Sequence, residues 1–243
     1  MTGVVAIIQA RTGSTRLPGK VLMDIAGEPM LARVMERAGR ARTLDEIVVA
    51  TTTETADDPI VSLCEDRGWE FFRGSESDVL DRYYRAAREY GAETIVRITS
   101  DCPLIDAGVT DKTVREFLDR SPTVDYASNI FPIRTYPRGL DTEVFSSGTL
   151  EHLWTLDKDP ASREHVTLYL QKNPGKFSIH NVRNDEDLSS HRWTVDTIED
   201  YRFVTHVYST MTEKDFTWRD VLRLLGERPD LVEINRHVKQ KVV

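Results

Sequence analysis

Four short apolar runs, at residues 4–8, 46–53, 69–74 and 93–99, recur through the first half of the chain, with helix-length stretches between them. Each is rich in Val, Ile, Thr or Phe, as buried strands are. The intervening stretches have the marks of helices. Pro29 suits the first turn of one running to about residue 42, with Met30, Leu31, Val34, Met35 and Ala38 as its apolar face. Residues 57–68 carry an early Pro59 and a terminal Gly68, and residues 77–91 are amphipathic and end at Gly91. Strands and helices alternating at crossover spacing predict a mostly parallel sheet with helices on both faces. In such sheets ligands bind beyond the carboxyl ends of the strands.

From about residue 122 the rhythm changes. Residues 125–145 hold two prolines and few helix formers, and read as loops and short strands. The expectation is an irregular excursion from the main sheet at about 125–190, inside a single domain spanning 1–243. Residues 161–175 read as a helix ended by Pro174-Gly175, and 176–182 and 191–196 as strands. Residues 197–211 read as a helix whose first turn is acidic, as its dipole favours, and 217–229 as another.

The first strand leads into "IIQARTGSTRLPGK", with Arg11, Arg16, Lys20, two glycines and a proline. No Asp or Glu precedes Asp24, although the chain has 40 acidic against 32 Lys and Arg residues, a formal charge of -8. The overall balance argues against a general nucleic-acid binder, which needs a basic footprint. A local cationic turn after a strand, offering backbone N–H groups, suits phosphates. It is not a Walker loop, because Val21 stands where Ser or Thr is required, nor is it GxGxxG. The bland reading is an exposed loop with solvated arginines.

Three further stretches carry candidate chemistry. Asp101 follows a β-branched strand, with Pro103 fixing the turn after it. It suits Mg2+ near a nucleotide, or equally a turn aspartate accepting backbone hydrogen bonds. Asp196 lies before a helix and reads as its N-cap, or as a second metal carboxylate if it shares an edge with Asp101. Arg138, Asp141, Glu143, Arg163, Glu164 and His165 form a polar set in the irregular half, suited to gripping a charged hydroxyl-rich substrate or to ion pairs across a dimer interface.

Cys64 and Cys102 make no CxxC or zinc pattern, which points to a reducing cytoplasm. Cys64 reads as a helix core residue and Cys102 as a packing residue rather than a nucleophile. The first residues lack the basic region of a signal peptide, and no apolar run has the length of a membrane span.

The opening stretch closely resembles cytidylyltransferases that activate acidic sugars, the 3-deoxy-manno-octulosonate and acylneuraminate enzymes, whose openings look like PARxxSxRxPGKxL. With "RGSESDVLDRYYRAA", "ITSDCPLID", "YPRGLDTEVF", "REHVT" and "RWTVDTIEDY", the chain is similar to the SpsF-like branch acting in spore coat polysaccharide biosynthesis. The resemblance implies a nucleotide-diphospho-sugar transferase (Rossmann-like) fold, CTP as co-substrate, Mg2+ and a homodimer. It places Ala10, Arg11, Ser14, Thr15, Arg16 and Lys20 on the nucleotide, with Lys20, Arg11 and Arg16 as catalytic cations. Asp101 falls on the nucleotide and metal position and Asp196 on the second metal position, while Arg73 and Ser75 fall at nucleotide contacts. The irregular middle, with Arg138, Asp141, Glu143, Arg163, Glu164 and His165, matches the dimerisation and sugar-binding part. One departure is Gln9, where the better-studied relatives have proline.

The implied activity is transfer of CMP from CTP to an acidic sugar or phosphorylated acceptor, with pyrophosphate released. Two alternatives are a sugar-1-phosphate nucleotidyltransferase using another nucleotide, and a non-catalytic nucleotide-binding module. The first usually opens LAAGxGTRL, where this chain has QARTGSTRL. No general base stands out, and His165 is the nearest candidate by motif.

Overall fold

The computed structural model describes residues 3–213 and 215–240. The first half follows the predicted alternation. Strand β1 (Gly3–Gln9) leads through the basic loop to a small hairpin of β2 (Asp24–Ile25) and β3 (Glu28–Pro29). Helix α1 (Met30–Ala38), β4 (Glu46–Thr52), α2 (Asp58–Arg67), β5 (Glu70–Gly74), α3 (Val79–Glu89), β6 (Ala92–Thr99) and α4 (Ala107–Leu118) follow. Gly68 closes α2 in the left-handed region at φ 64°, where a side chain would be strained. Helix α1 stops four residues short of the predicted end, and Pro29 sits just before its first turn rather than in it.

The second half supplies β7 (Tyr126–Ser128), β8 (Glu143–Ser146), α5 (Ser147–Leu156), α6 (Pro160–Arg163), α7 (Leu168–Lys172) and β9 (Ile179–Asn181). Helices α8 (Ile198–Thr210), α9 (Trp218–Glu227) and α10 (Asp230–Glu233) end the order. The irregular stretch therefore does more than leave the sheet. Its three short strands complete one seven-stranded sheet in the order β5-β4-β1-β6-β8-β7-β9. Strands β5, β4, β1 and β6 are parallel, β8 runs antiparallel to β6 and β7, and β7 pairs parallel to β9.

Alternation along β1 explains the two cores. Val4, Ala6 and Ile8 face α1, α4, α8 and α9, whereas Val5 and Ile7 face α3 and α5. A strand covered on both faces is apolar throughout.

Two expectations fail here. Residues 161–175 are not one helix: α6 and α7 are separated at buried Val166, whose φ of 53° is rare for a β-branched residue. The break lets Glu164 and Thr167 reach different partners. Residues 191–196 form no strand, only an isolated bridge between Arg138 and Arg192.

Candidate active site

Parallel pairing of β1 with β6 puts Gln9 beside Thr99, so the basic loop and Asp101 leave the sheet at one edge. The chain turns at Gly19, φ 70°, and carries Lys20 inward until it is 8% exposed. Its ammonium donates to Asp101 Oδ2 at 3.2 Å, to Asp196 Oδ1 at 3.2 Å and to the Val195 carbonyl at 2.6 Å. Lysine, loop and both aspartates thus meet at one point, although 175 residues separate Lys20 from Val195.

Backbone bonds fix the two carboxylate segments side by side. The Asp101 carbonyl accepts from Val195 N at 2.8 Å and Thr194 Oγ1 at 3.2 Å. Thr99 Oγ1 donates to Asp101 Oδ1 at 2.6 Å. Asp196 also meets Arg16 at 3.0 Å and Arg192 at 2.9 Å.

Asp196 is not the N-cap of α8. Thr197 is, with Asp200 completing a capping box. Asp200 is fully buried and accepts from Arg192, from Asn235 at 2.9 Å and from the Asp196 amide at 3.0 Å. A buried platform behind Asp196 therefore does the capping and leaves the Asp196 carboxylate to the site.

Burial disfavours charge on Lys20, but Asp101 and Asp196 outweigh it and hold its pKa above the usual value. Burial likewise pushes Asp101 up, and Lys20 and Thr99 outweigh it and bring it below the usual range. On the acid side, the stability this gives is present above the ordinary aspartate value of 3.8 and is lost as pH falls through the depressed pKa. On the alkaline side it is full below 10.5 and is lost as pH rises through the raised lysine pKa. The pair is ionised across the neutral range.

A residue the sequence reading passed over shapes the loop. Asp57, buried at the entry to α2, accepts from Thr12 N at 2.7 Å, from Thr12 Oγ1 at 2.7 Å and from Thr52 Oγ1. The Thr12 carbonyl in turn accepts from Ser14 N at 2.8 Å and Gly19 N at 2.9 Å, which closes the loop on itself. Burial raises the Asp57 pKa, and the threonine hydrogen bonds outweigh it and lower it. The anchor is present above 3.8 and lost only as pH falls through the depressed value. A hydrogen bond to a charged group is worth about 1.5–3 kcal/mol net. Asp57→Ala is expected to raise KM for the nucleotide roughly tenfold or more with a smaller change in kcat, a tenfold change being about 1.4 kcal/mol. Asp57→Asn keeps an acceptor for Thr12 and recovers most of the loss. Steady-state kinetics of the two variants check this.

The remaining predicted residues fall in several places. Ala10 is buried and its amide extends the strand pairing to the Ala50 carbonyl at 3.1 Å. Ser14 is partly exposed, and Thr15 and Arg16 are exposed in the loop. Arg11 pairs with Glu164 at 2.9 Å and lies 3.9 Å from Glu76. Such partly exposed pairs are weak and can be exchanged for phosphate oxygens. Arg73, at the end of β5, holds the Thr52 and Glu54 carbonyls at 2.8 and 3.0 Å and Asp58 at 2.8 Å. Ser75 accepts from Asp78 N at 3.1 Å.

The polar set of the irregular half does not gather into one cluster. Glu164 joins Arg11, while Arg163 is held by Asp78 at 2.9 Å and by two carbonyls. Asp141 takes both arms of Arg134 at 2.6 and 2.8 Å. The His165 amide donates to Ser162 O at 2.9 Å. Glu143 is 2% exposed, pairs with Arg97, and accepts from Tyr126 and Thr167, each at 2.6 Å. Arg97 also donates to Gln9 Oε1 at 3.1 Å, so Gln9 is tied into this buried network. Arg138 lies apart, beside Arg192.

No group of three or more His, Cys, Asp or Glu suited to a metal lies among the described residues. Two carboxylates converging on one buried cation do suit Mg2+, which takes one or two protein carboxylates and completes its shell with water and substrate phosphates.

Residues 5–240 match the family model described as cytidylyltransferase. SpsF, a spore coat polysaccharide biosynthesis protein of Bacillus subtilis, is 31% identical over 95% of this chain and 97% of its own length. The 3-deoxy-manno-octulosonate cytidylyltransferase of Geobacter sulfurreducens is 40% identical over 78% of this chain and 70% of its own. A solved cytidylyltransferase from Leptospira borgpetersenii superposes over the whole of both chains, with a TM-score of 0.92 and 35% identity.

Proposed function

The chain belongs to the cytidylyltransferase family, and from that premise we propose that it transfers CMP from CTP to an acidic sugar or a phosphorylated acceptor, releasing pyrophosphate, in the synthesis of a polysaccharide or glycoconjugate precursor. The family is one of CTP-dependent nucleotidyltransferases, and the fold is that of the nucleotide-diphospho-sugar transferases. The observation that carries the reading is the meeting of Lys20 with Asp101 and Asp196 beneath a carboxylate-free loop.

The acceptor oxygen attacks the α-phosphorus in line, a reaction that depends on positioning and charge stabilisation. Lys20, Arg11 and Arg16 offset charge on the triphosphate and on the leaving pyrophosphate. Thr12, fixed by Asp57, holds the loop in the shape that presents Ser14 and Thr15. Asp101 and Asp196 would hold Mg2+, which when bound polarises the α-phosphate and lowers the pKa of the acceptor hydroxyl. Arg73 and Ser75 belong to the nucleotide side of this proposal. Glu164, paired with Arg11, is the one of the residues assigned to the acceptor that touches the loop, and Arg138, Asp141, Glu143, Arg163 and His165 belong to the acceptor side of this proposal.

The same proposal includes a homodimer, which would cover Ile133, 51% exposed beside Phe131. The two free, buried cysteines support a cytoplasmic setting. No helix among the described residues is long and apolar enough to cross a membrane.

The acceptor is tested by incubating CTP and Mg2+ with a panel of acidic sugars, phosphorylated polyols and neutral sugars, and weighing the product by mass spectrometry. A CMP- or CDP-linked product from the anionic members alone is expected. Products from neutral sugars would sink the acceptor assignment.

A further inference from the structure

The two oxygens of Asp196 have different surroundings. Oδ1 meets Lys20 at 3.2 Å and Arg16 at 3.0 Å, on the side of the basic loop. Oδ2 turns the other way, to Arg192 Nη2 at 2.9 Å. The terminal torsion of an aspartate is soft, so without a partner on Oδ2 the carboxylate plane is free to swing.

Arg192 is itself held firmly. Its Nε and Nη2 donate to Asp200 Oδ1 and Oδ2, each at 2.8 Å, the two-point geometry that suits a guanidinium and a carboxylate. Nη1 donates to Gln240, and the Arg192 carbonyl accepts from Asn235 Nδ2 at 2.9 Å. The same Asn235 amide donates to Asp200 Oδ1 at 2.9 Å, so it fixes both members of the pair. Arg192, Asp200 and Asn235 are all buried. Asp200 Oδ2 also accepts from the Asp196 and Thr197 amides at 3.0 and 3.1 Å, which pins the main chain beneath the carboxylate.

Charge balance matters as much as geometry. Burial opposes charge on Arg192, and Asp200, then Asp196, outweigh it and hold its pKa above the usual value. Asp200 takes two of the bonds and cancels the arginine's charge. Arg192 therefore orients Asp196 without neutralising it, and the aspartate keeps its charge for a cation. With Asp200 made neutral, the whole arginine charge would fall to Asp196 and compete with a metal for it.

We propose that Arg192 is a positioning residue that turns Oδ1 of Asp196 toward the metal, with Asp200 and Asn235 holding the arginine in place. Arg192, Asp196 and Asp200 follow one another at intervals of four residues in "RWTVDTIED". The role requires Asp196 as a metal ligand, and so rests on the cytidylyl-transfer reading.

The test is calorimetric titration of CTP, once with Mg2+ and once with EDTA, into the full chain and its Asp196→Asn, Arg192→Lys and Asp200→Asn variants. Lysine keeps the charge and loses the two-point grip. Asparagine keeps the shape and an acceptor for the Asp196 and Thr197 amides and loses the charge, and it serves as the second variant where Arg192→Lys fails to fold. The unaltered chain should bind CTP more tightly with Mg2+ than with EDTA. Arg192→Lys and Asp200→Asn should each weaken the Mg2+-dependent binding about tenfold or more and leave binding in EDTA unchanged, as loss of a partner behind a metal ligand does. A group that only braces the fold would lower the melting temperature and leave the Mg2+ gain of the folded protein intact. A gain lost in Asp196→Asn but kept in full by both other variants would overturn the positioning role alone. No gain in the unaltered chain, or a gain kept in full by Asp196→Asn, would sink the metal reading of Asp196 and the positioning role with it.

Discussion

Lys20→Ala is expected to lower kcat about 100-fold or more, the loss typical of removing one preorganised charge-stabilising donor. The lysine is buried and contacts both aspartates, so no nearby cation takes its place without moving. Arg16 reaches only Asp196, from an exposed position. The substitution also leaves the partly buried Asp101 carboxylate without its cation, while Asp196 keeps Arg16 and Arg192. Single-turnover kinetics, with thermal unfolding run alongside, separates lost chemistry from lost fold. Lys20→Met keeps most of the side-chain volume and should be as slow as the alanine variant. Unchanged turnover in either would remove Lys20 from the catalytic group.

Glu143→Ala is expected to cost about 3–5 kcal/mol of folding stability, because it leaves a buried charge without its partner. Glu143 holds Arg97, Tyr126 and Thr167 together beneath the loop. Burial opposes charge on Arg97, and Glu143 outweighs it and raises its pKa. Arg97 loses that compensation in the variant. Replacing both partners with apolar residues, Arg97→Met with Glu143→Leu, should recover most of the stability, since a buried pair is often no better than well-packed hydrophobic groups. Urea denaturation of the three variants gives the comparison. A Glu143→Ala midpoint close to that of the unaltered chain would show that the network bears little of the fold.

The parallel half was legible because its signals are local. The parallel strands β1, β4, β5 and β6 are short runs rich in Val, Ile, Thr or Phe, and the helices between carry their own stops, such as Gly68. That order alone placed the loop and Asp101 on one edge, which pairing of Gln9 with Thr99 explains. The second half was harder because β7, β8 and β9 have three or four residues each, and β7 pairs with β9 across about 50 positions of sequence. Pairing of that kind leaves no local period to read. Trp193 and Val195 alternate like strand residues, yet their amides bond the Arg138 and Asp101 carbonyls in place of a ladder. The capping box of Thr197 and Asp200 was in the sequence as T-x-x-D, and reading it would have released Asp196 from the capping role. Asp57 had no such signal, because its role depends on Thr12, 45 residues away.

The central claim is CTP-specific cytidylyl transfer at the meeting point of Lys20, Asp101 and Asp196. The most direct measurement is pyrophosphate release with Mg2+ and anionic acceptors, comparing CTP with UTP, GTP and ATP, in the unaltered chain and in Asp101→Ala. Release that needs CTP and disappears in the variant is the predicted result. Release driven equally by another nucleotide, or retained in full by Asp101→Ala, would contradict it.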